Sequence, residues 1–217
     1  MSKVFKKSVN QLPLKLLIGL LVIGTVSVSA FYYYATPQYT KVGFAPTQPV
    51  AFDHSLHAGQ LGLDCRYCHS NVERSGHANV PAASTCMNCH NQIKASSPAL
   101  ELVRQSYETG APIPWVRVHQ IPDFVYFNHS VHVNRGVSCY NCHGQVNEMQ
   151  VVRHDKPLSM NFCLECHREP ERFVRPHDEI FNLNWRPESE EEQIKRGLEA
   201  VKANHIHAPV NCSGCHQ

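Results

Sequence analysis

The sequence predicts a mostly irregular domain with short α-helices, carried on one N-terminal transmembrane helix. Three observations predict it. The segment Leu16 to Thr40 contains no charged side chain. All ten cysteines fall into one motif repeated five times. Between those copies, helical periodicity is confined to two short stretches set among proline-rich connections. The 217 residues suffice for one medium domain or two small ones, and 42% apolar with 18% charged residues argues against wholesale disorder. A formal net charge of +2 gives no basis for a nucleic-acid partner.

The apolar run Leu16-Leu17-Ile18-Gly19-Leu20-Leu21-Val22-Ile23 opens a segment long enough to cross a bilayer. Lys3, Lys6, Lys7 and Lys15 precede it with no acidic residue, so positive-inside bias puts the N-terminus in the cytoplasm. Phe31, Tyr32, Tyr33 and Tyr34 stand at the far end, where an interfacial aromatic belt is expected. Val28-Ser29-Ala30 also resembles a leader-peptidase site, but the apolar stretch exceeds a usual leader core. The expectation is a retained single-pass anchor in a bacterial cytoplasmic membrane, with the domain on the periplasmic side.

The five motifs are Cys65-Arg-Tyr-Cys68-His69, Cys86-Met-Asn-Cys89-His90, Cys139-Tyr-Asn-Cys142-His143, Cys163-Leu-Glu-Cys166-His167 and Cys212-Ser-Gly-Cys215-His216, with no cysteine left over. Cys-x-x-Cys-His is the c-type haem attachment motif. Two thioethers tether the porphyrin and the adjacent histidine becomes the proximal iron ligand. A zinc site needs four ligands per metal and gives no reason for a histidine after every second cysteine. A disulfide framework gives none either. The expected cofactor complement is five haem c.

The motifs begin at 65, 86, 139, 163 and 212, so short and long intervals alternate. Phe52-Asp-His54-Ser-Leu-His57 precedes the first, and Phe127-Asn-His129-Ser-Val-His132 precedes the third. His77 and His154 each lie nine residues ahead of a cysteine. These echoes predict a duplicated two-haem unit with a fifth haem added at the C-terminus. The expected layout is a basic N-terminus (1–15), a membrane helix (16–36), a linker (37–50), the first two-haem unit (51–110), and the second unit with the fifth haem (111–217).

Ser97-Pro98 reads as the start of a helix with Leu100, Val103 and Tyr107 on one face, ending near Gly110. Ser189-Glu190-Glu191-Glu192 reads as a capping box opening a second, with Ile194, Leu198 and Val201 inward. Each haem motif is expected on a helical turn. About 35 residues per haem cannot enclose each porphyrin, so a haem-packed core is expected.

Electron transfer without substrate binding calls for a sixth ligand on each iron. The proximal set is His69, His90, His143, His167 and His216. His54, His57, His129 and His132 are the expected distal ligands, because paired histidines at i and i+3 occur twice in matched context. For the fifth iron the candidates are His119 and, alternatively, Met149, whose thioether would raise the potential. His77 and His154 fit propionate hydrogen bonding, and His177, His205 and His207 read as surface groups. Ten propionates call for cations, for which Arg117, Arg135, Arg153, Arg168, Arg172 and Arg175 are available. Every motif ends in histidine, which argues against an open-iron enzyme such as a nitrite reductase.

The Phe-x-His-x-x-His pairs resemble class III multihaem cytochromes, the c3 and c7 group. The arrangement as a whole resembles the membrane-anchored pentahaem subunit family (ActA) of alternative complex III. The matching features are the anchor, the Phe52–His57 segment, Leu63-Asp-Cys65-Arg-Tyr-Cys68-His69, Pro114-Trp115-Val-Arg-Val-His119 through Tyr126-Phe127-Asn-His129, and Leu158-Ser-Met160-Asn-Phe-Cys163. The resemblance implies an electron-transfer subunit, not itself an enzyme, of a quinol-oxidising respiratory complex. Its implied partners are an iron–sulfur protein, quinol-binding membrane subunits and a monohaem cytochrome c, with a downstream cytochrome c or terminal oxidase. A stand-alone membrane-anchored multihaem quinol dehydrogenase is the alternative.

Overall fold

The structure, a computed structural model, describes residues 7–216. Lys3 and Lys6 lie outside the described residues. The chain divides into two compact units, Met1–Lys41 and Val42–Gln217.

The first unit carries a 3₁₀ turn (Lys7–Gln11), helix α1 (Leu12–Ala35) and a short helix α2 (Pro37–Thr40). The apolar helical stretch runs over Ser8–Ala35; an 18-residue window within it has a mean hydropathy of 2.1, and none of that window is buried. At 1.5 Å per residue, α1 is about 36 Å long, enough for a hydrocarbon layer about 30 Å thick. The helix starts four residues earlier than the charge-free run because Pro13 suits a first turn and exposed Lys15 can extend along the helix to polar surroundings. The Thr36 hydroxyl donates to Tyr32 O (2.6 Å) as the helix ends. Tyr33 packs edge to face on Tyr34 and Tyr39 there, and Tyr34 is tilted against Tyr39, with centroids 5.1–6.1 Å apart.

The second unit is helical and irregular. Its α-helices are α3 (Cys65–Cys68), α4 (Ala83–His90), α5 (Glu101–Thr109), α6 (His129–Val133), α7 (Cys139–His143), α8 (Met160–Arg168) and α9 (Glu190–Ala203). A single π-helical segment spans Ser55–Gln60. Among the described residues there is no strand, and β pairing is limited to the isolated bridges Val125–His216 and Val137–Val174.

Two small apolar clusters are formed. Val50, Ala83 and Val103 meet Cys86, Met87, Leu100, Ile113 and Trp115 in one. Val72, Val133 and Ile180 meet Ala78 and Phe181 in the other, which draws on both halves of the duplicated sequence. The halves also meet where Gly59 approaches Asn147. A Cβ at Gly59 would lie 2.3 Å from Asn147 O, and Ser55 N donates to Met149 O (3.1 Å).

Helix α5 follows a 3₁₀ turn at Pro98–Leu100 and stops at Gly110, whose φ of +73° terminates it in the left-handed region. Val103 is buried, whereas Tyr107 on the same face is exposed. The first cluster ends at Val103 and does not extend under the last turn. In α9, Ser189 Oγ accepts from Glu192 N as the cap requires, while the Glu192 carboxylate turns to Arg196. Leu198, expected inward, is 53% exposed. The buried face instead carries Gln193 and Gly197. The cause is backbone proximity: a Cβ at Gly197 would lie 1.9 Å from Glu171 O, and Gln193 Nε2 donates to Glu171 O and Val174 O (3.0 and 2.8 Å).

Gly197→Ala is therefore expected to destabilise the domain by about 1–3 kcal/mol through overpacking. Leu198→Ala is expected to stay within about 0.5 kcal/mol. Denaturant unfolding of the two variants checks the contrast.

Candidate cofactor sites

Each Cys-x-x-Cys-His segment sits on a helical turn: α3, α4, α7, α8 and a final 3₁₀ turn at Cys212–Gly214. Side-chain caps explain three of the starts. Asp64 accepts from Arg66 N (2.8 Å), Ser138 from Tyr140 N (3.3 Å) and Ser159 from Phe162 N (3.4 Å). Buried Ser138 also donates its hydroxyl to Ile180 O (2.6 Å). Residues three apart share a helix face, so both thiols of a motif point to one side with the histidine next to them. Among the described residues no two cysteines are joined in a disulfide. Burial pushes Cys142 up to about 11 and Cys166 up to about 12, which keeps both protonated near neutral pH.

The histidines carry a common device. The Nδ1 atoms of His57, His69, His90, His129, His132 and His167 lie 2.7–2.9 Å from the backbone carbonyls of Asp53, Asn79, Ile93, Gly76, Asn128 and Pro209. A carbonyl only accepts, so Nδ1 carries the proton and Nε2 keeps its lone pair, the tautomer a metal ligand needs. Burial, assisted by neighbouring imidazoles, pulls His54 and His119 down to about 4 and His143 to about 3. These rings are neutral near pH 7. Nδ1 of His54 and Nε2 of His119 and His154 are buried without a hydrogen-bond partner.

The two Phe-x-His-Ser-x-His segments repeat their ring contacts and their turn cap. Phe52 meets His54 edge-on at 4.7 Å and stacks on His57 at 4.4 Å. Phe127 meets His129 edge-on at 4.8 Å and stacks on His132 at 4.7 Å. Asp53 Oδ1 accepts from Ser55 Oγ and Leu56 N, as Asn128 Oδ1 does from Ser130 Oγ and Val131 N. The second histidine of each segment then faces a motif histidine: His57–His90 centroids lie 6.2 Å apart and His132–His167 6.1 Å. His129–His143 lie 6.4 Å apart. Two imidazoles binding one iron from opposite faces, each with Nε2 about 2 Å from the metal, have centroids about 6 Å apart. The observed separations fit that arrangement. Exposed Leu63, Tyr67, Val131, Met160 and Val210 add apolar surface beside the motifs, as a large planar group requires.

His54 faces His69 closely enough for the two rings to repel when charged. His119 lies 4.2 Å from His143 and 5.4 Å from His154, the first too short for an iron between the rings. The ring stacked on His216 is that of Phe124, at 5.6 Å. Met149 is buried, and its carbonyl accepts from Ser55 N. The sequence missed the burial of His154, which is 2% exposed while its counterpart His77 is exposed. The signal lies in the linker: Gly43 N donates to His154 O (2.8 Å) and His154 N to Phe44 O (2.9 Å). Among the arginines, Arg172 is engaged by Glu169 and Glu190 (3.2 and 2.6 Å). Arg175 is buried between Tyr140 and Trp185, with Nη1 donating to Asn182 O (3.1 Å).

Comparison with known proteins gives two matches. The family model described as cytochrome c7 and related cytochrome c matches residues 50–107 and 125–217. The chain is also 30% identical over 122 residues to the multihaem cytochrome c subunit of a menaquinone reductase from Nitratidesulfovibrio vulgaris. That match covers 56% of this chain and 56% of the relative, so the chain spans about half the length of the curated protein it matches.

The matched caps give a direct test. Asn128→Ala is expected to lose about 1 kcal/mol of stability, whereas Asn128→Asp should retain it, because Asp53 makes the same cap in the first copy. Thermal unfolding followed by absorbance and circular dichroism reads both.

Proposed function

The chain belongs to the family of cytochrome c7 and related cytochromes c, and on that premise we propose that it is the five-haem electron-transfer subunit of a membrane quinol:acceptor oxidoreductase. It is a multihaem cytochrome c related to a menaquinone reductase cytochrome subunit. In the finer reading it belongs to a complex of the alternative complex III type. α1 anchors it in the bacterial cytoplasmic membrane, with the N-terminus cytoplasmic and the cytochrome domain periplasmic.

Cys65 and Cys68, Cys86 and Cys89, Cys139 and Cys142, Cys163 and Cys166, and Cys212 and Cys215 tether haem through thioethers. His69, His90, His143, His167 and His216 are the proximal ligands. His54, His57, His129 and His132 complete the first four sites in that order. When bound, haem supplies a one-electron ferric/ferrous couple. The protein's part is to fix the Nε2 lone pairs of His57, His69, His90, His129, His132 and His167 through their Nδ1–carbonyl bonds, to keep buried rings such as His54 and His143 neutral, and to bar other ligands. The observation that carries the reading is the set of imidazole pairs 6.1–6.4 Å apart. For the fifth site, His119 and Met149 stay the candidates named by the sequence, although His119 lies against His143 and His154.

In the proposed reaction, quinol held by partner subunits loses two electrons and two protons to become quinone. The chain takes the electrons singly and delivers them to a cytochrome c or a terminal oxidase. The partners are quinol-binding membrane subunits, an iron–sulfur protein and a monohaem cytochrome c.

Two measurements test this. Carbon monoxide added to the dithionite-reduced complex is expected to leave the first four haems unliganded. His57→Ala and His132→Ala are each expected to add one CO-binding haem per chain. CO binding by two or more haems of the unsubstituted protein contradicts the ligand set. Menaquinol is expected to reduce the haems of the chain within its complex but not those of the isolated chain. Direct reduction of the isolated chain would establish a stand-alone quinol dehydrogenase instead.

A further inference from the structure

We propose that the five attachment motifs neighbour one another in the order second, first, third, fourth, fifth, so that the two duplicated units join through their first motifs. This rests on the five-haem reading and adds an order that the sequence does not contain. Tandem duplication alone places the second motif next to the third. The contacts place the first there.

Each junction stands on independent contacts. First and second motifs meet where Asn88 Nδ2 donates to the Tyr67 hydroxyl (2.9 Å). First and third motifs meet where the loop after the first motif receives α6. Gly76 O accepts from His129 N and Nδ1, Ser75 O from Ser130 N, and Glu73 O from Asn134 Nδ2. Val72 packs on Val133 and Ile180 in the same place.

Third and fourth motifs meet where the segment following α8 runs beside the entry to α7. Val174 bridges Val137, Arg175 N donates to Gly136 O (2.8 Å), and Asn141 Nδ2 donates to Phe173 O (3.0 Å). Fourth and fifth motifs meet where His167 Nδ1 donates to Pro209 O (2.7 Å), three residues before Cys212. The second motif sits at the other end, its Cys86 in the separate cluster of Val50, Ala83 and Val103.

The order also explains the long passage from His90 to Cys139. It carries the chain from one end of the row back to its middle, through α5 and the Ile113–Trp115 segment that closes the first cluster. The units are therefore arranged about their shared junction, second–first against third–fourth, with the fifth added outside the fourth.

The test is a high-resolution cryo-electron microscopy structure of the haem-loaded chain in its membrane complex, with each iron assigned by its cysteines. The expected result is that the four shortest iron–iron separations are second–first, first–third, third–fourth and fourth–fifth. A second–third separation among the four shortest overturns the order and leaves the five-haem reading intact. Fewer than five irons on the chain overturns the reading, and the order falls with it.

Discussion

On the proposed reading, this chain brings two thiols and an imidazole to one planar group in five places, each within five consecutive residues, and in four of them a second imidazole arrives from elsewhere. That requirement governs the rest of the structure. It explains why regular structure is so brief: a single capped turn orients Cys, Cys and His, and a longer helix would carry its neighbours past the group. It also explains the Nδ1–carbonyl bonds. An imidazole left free to rotate or change tautomer is a poor ligand, and six of the rings are locked by a main-chain acceptor.

The polypeptide's own core is correspondingly slight. Two clusters of three buried side chains each are the apolar nuclei of the second unit. Polar devices do the remaining joining: Gln193 bridging two carbonyls, Ser138 on Ile180, Gly197 and Gly59 pressed against backbone. Such a chain is organised by what it binds, in the way small metal-dependent domains are. The duplicated Phe-x-His-Ser-x-His segments show the economy of the design. One phenylalanine orients both of its histidines, one edge-on and one stacked, and the same Asx cap holds the turn in both copies.

Much of this was legible in the residues. The cysteine motifs, the membrane-length helix and the duplication are local patterns, and local patterns survive folding. Helix existence was also legible, at Pro98 and at Ser189. The buried faces were not. Periodicity put Leu198 inward, whereas the same helix buries Gln193 and Gly197, because a close backbone approach favours a missing Cβ over a large apolar side chain. His154 was undervalued for a related reason. Its burial depends on pairing with Gly43 and Phe44, more than a hundred residues away, and no spacing rule reports that. His119 shows the limit from the other side: sequence position put it before the second unit, and folding set it against His143 and His154.

The account stands on five covalently held haems in one chain, and intact-mass spectrometry of the purified, acid–acetone-washed protein tests that most directly. The account predicts a single species heavier than the polypeptide by five haem groups, none of them extractable. A mass corresponding to fewer covalent haems, or to the bare polypeptide, would contradict it.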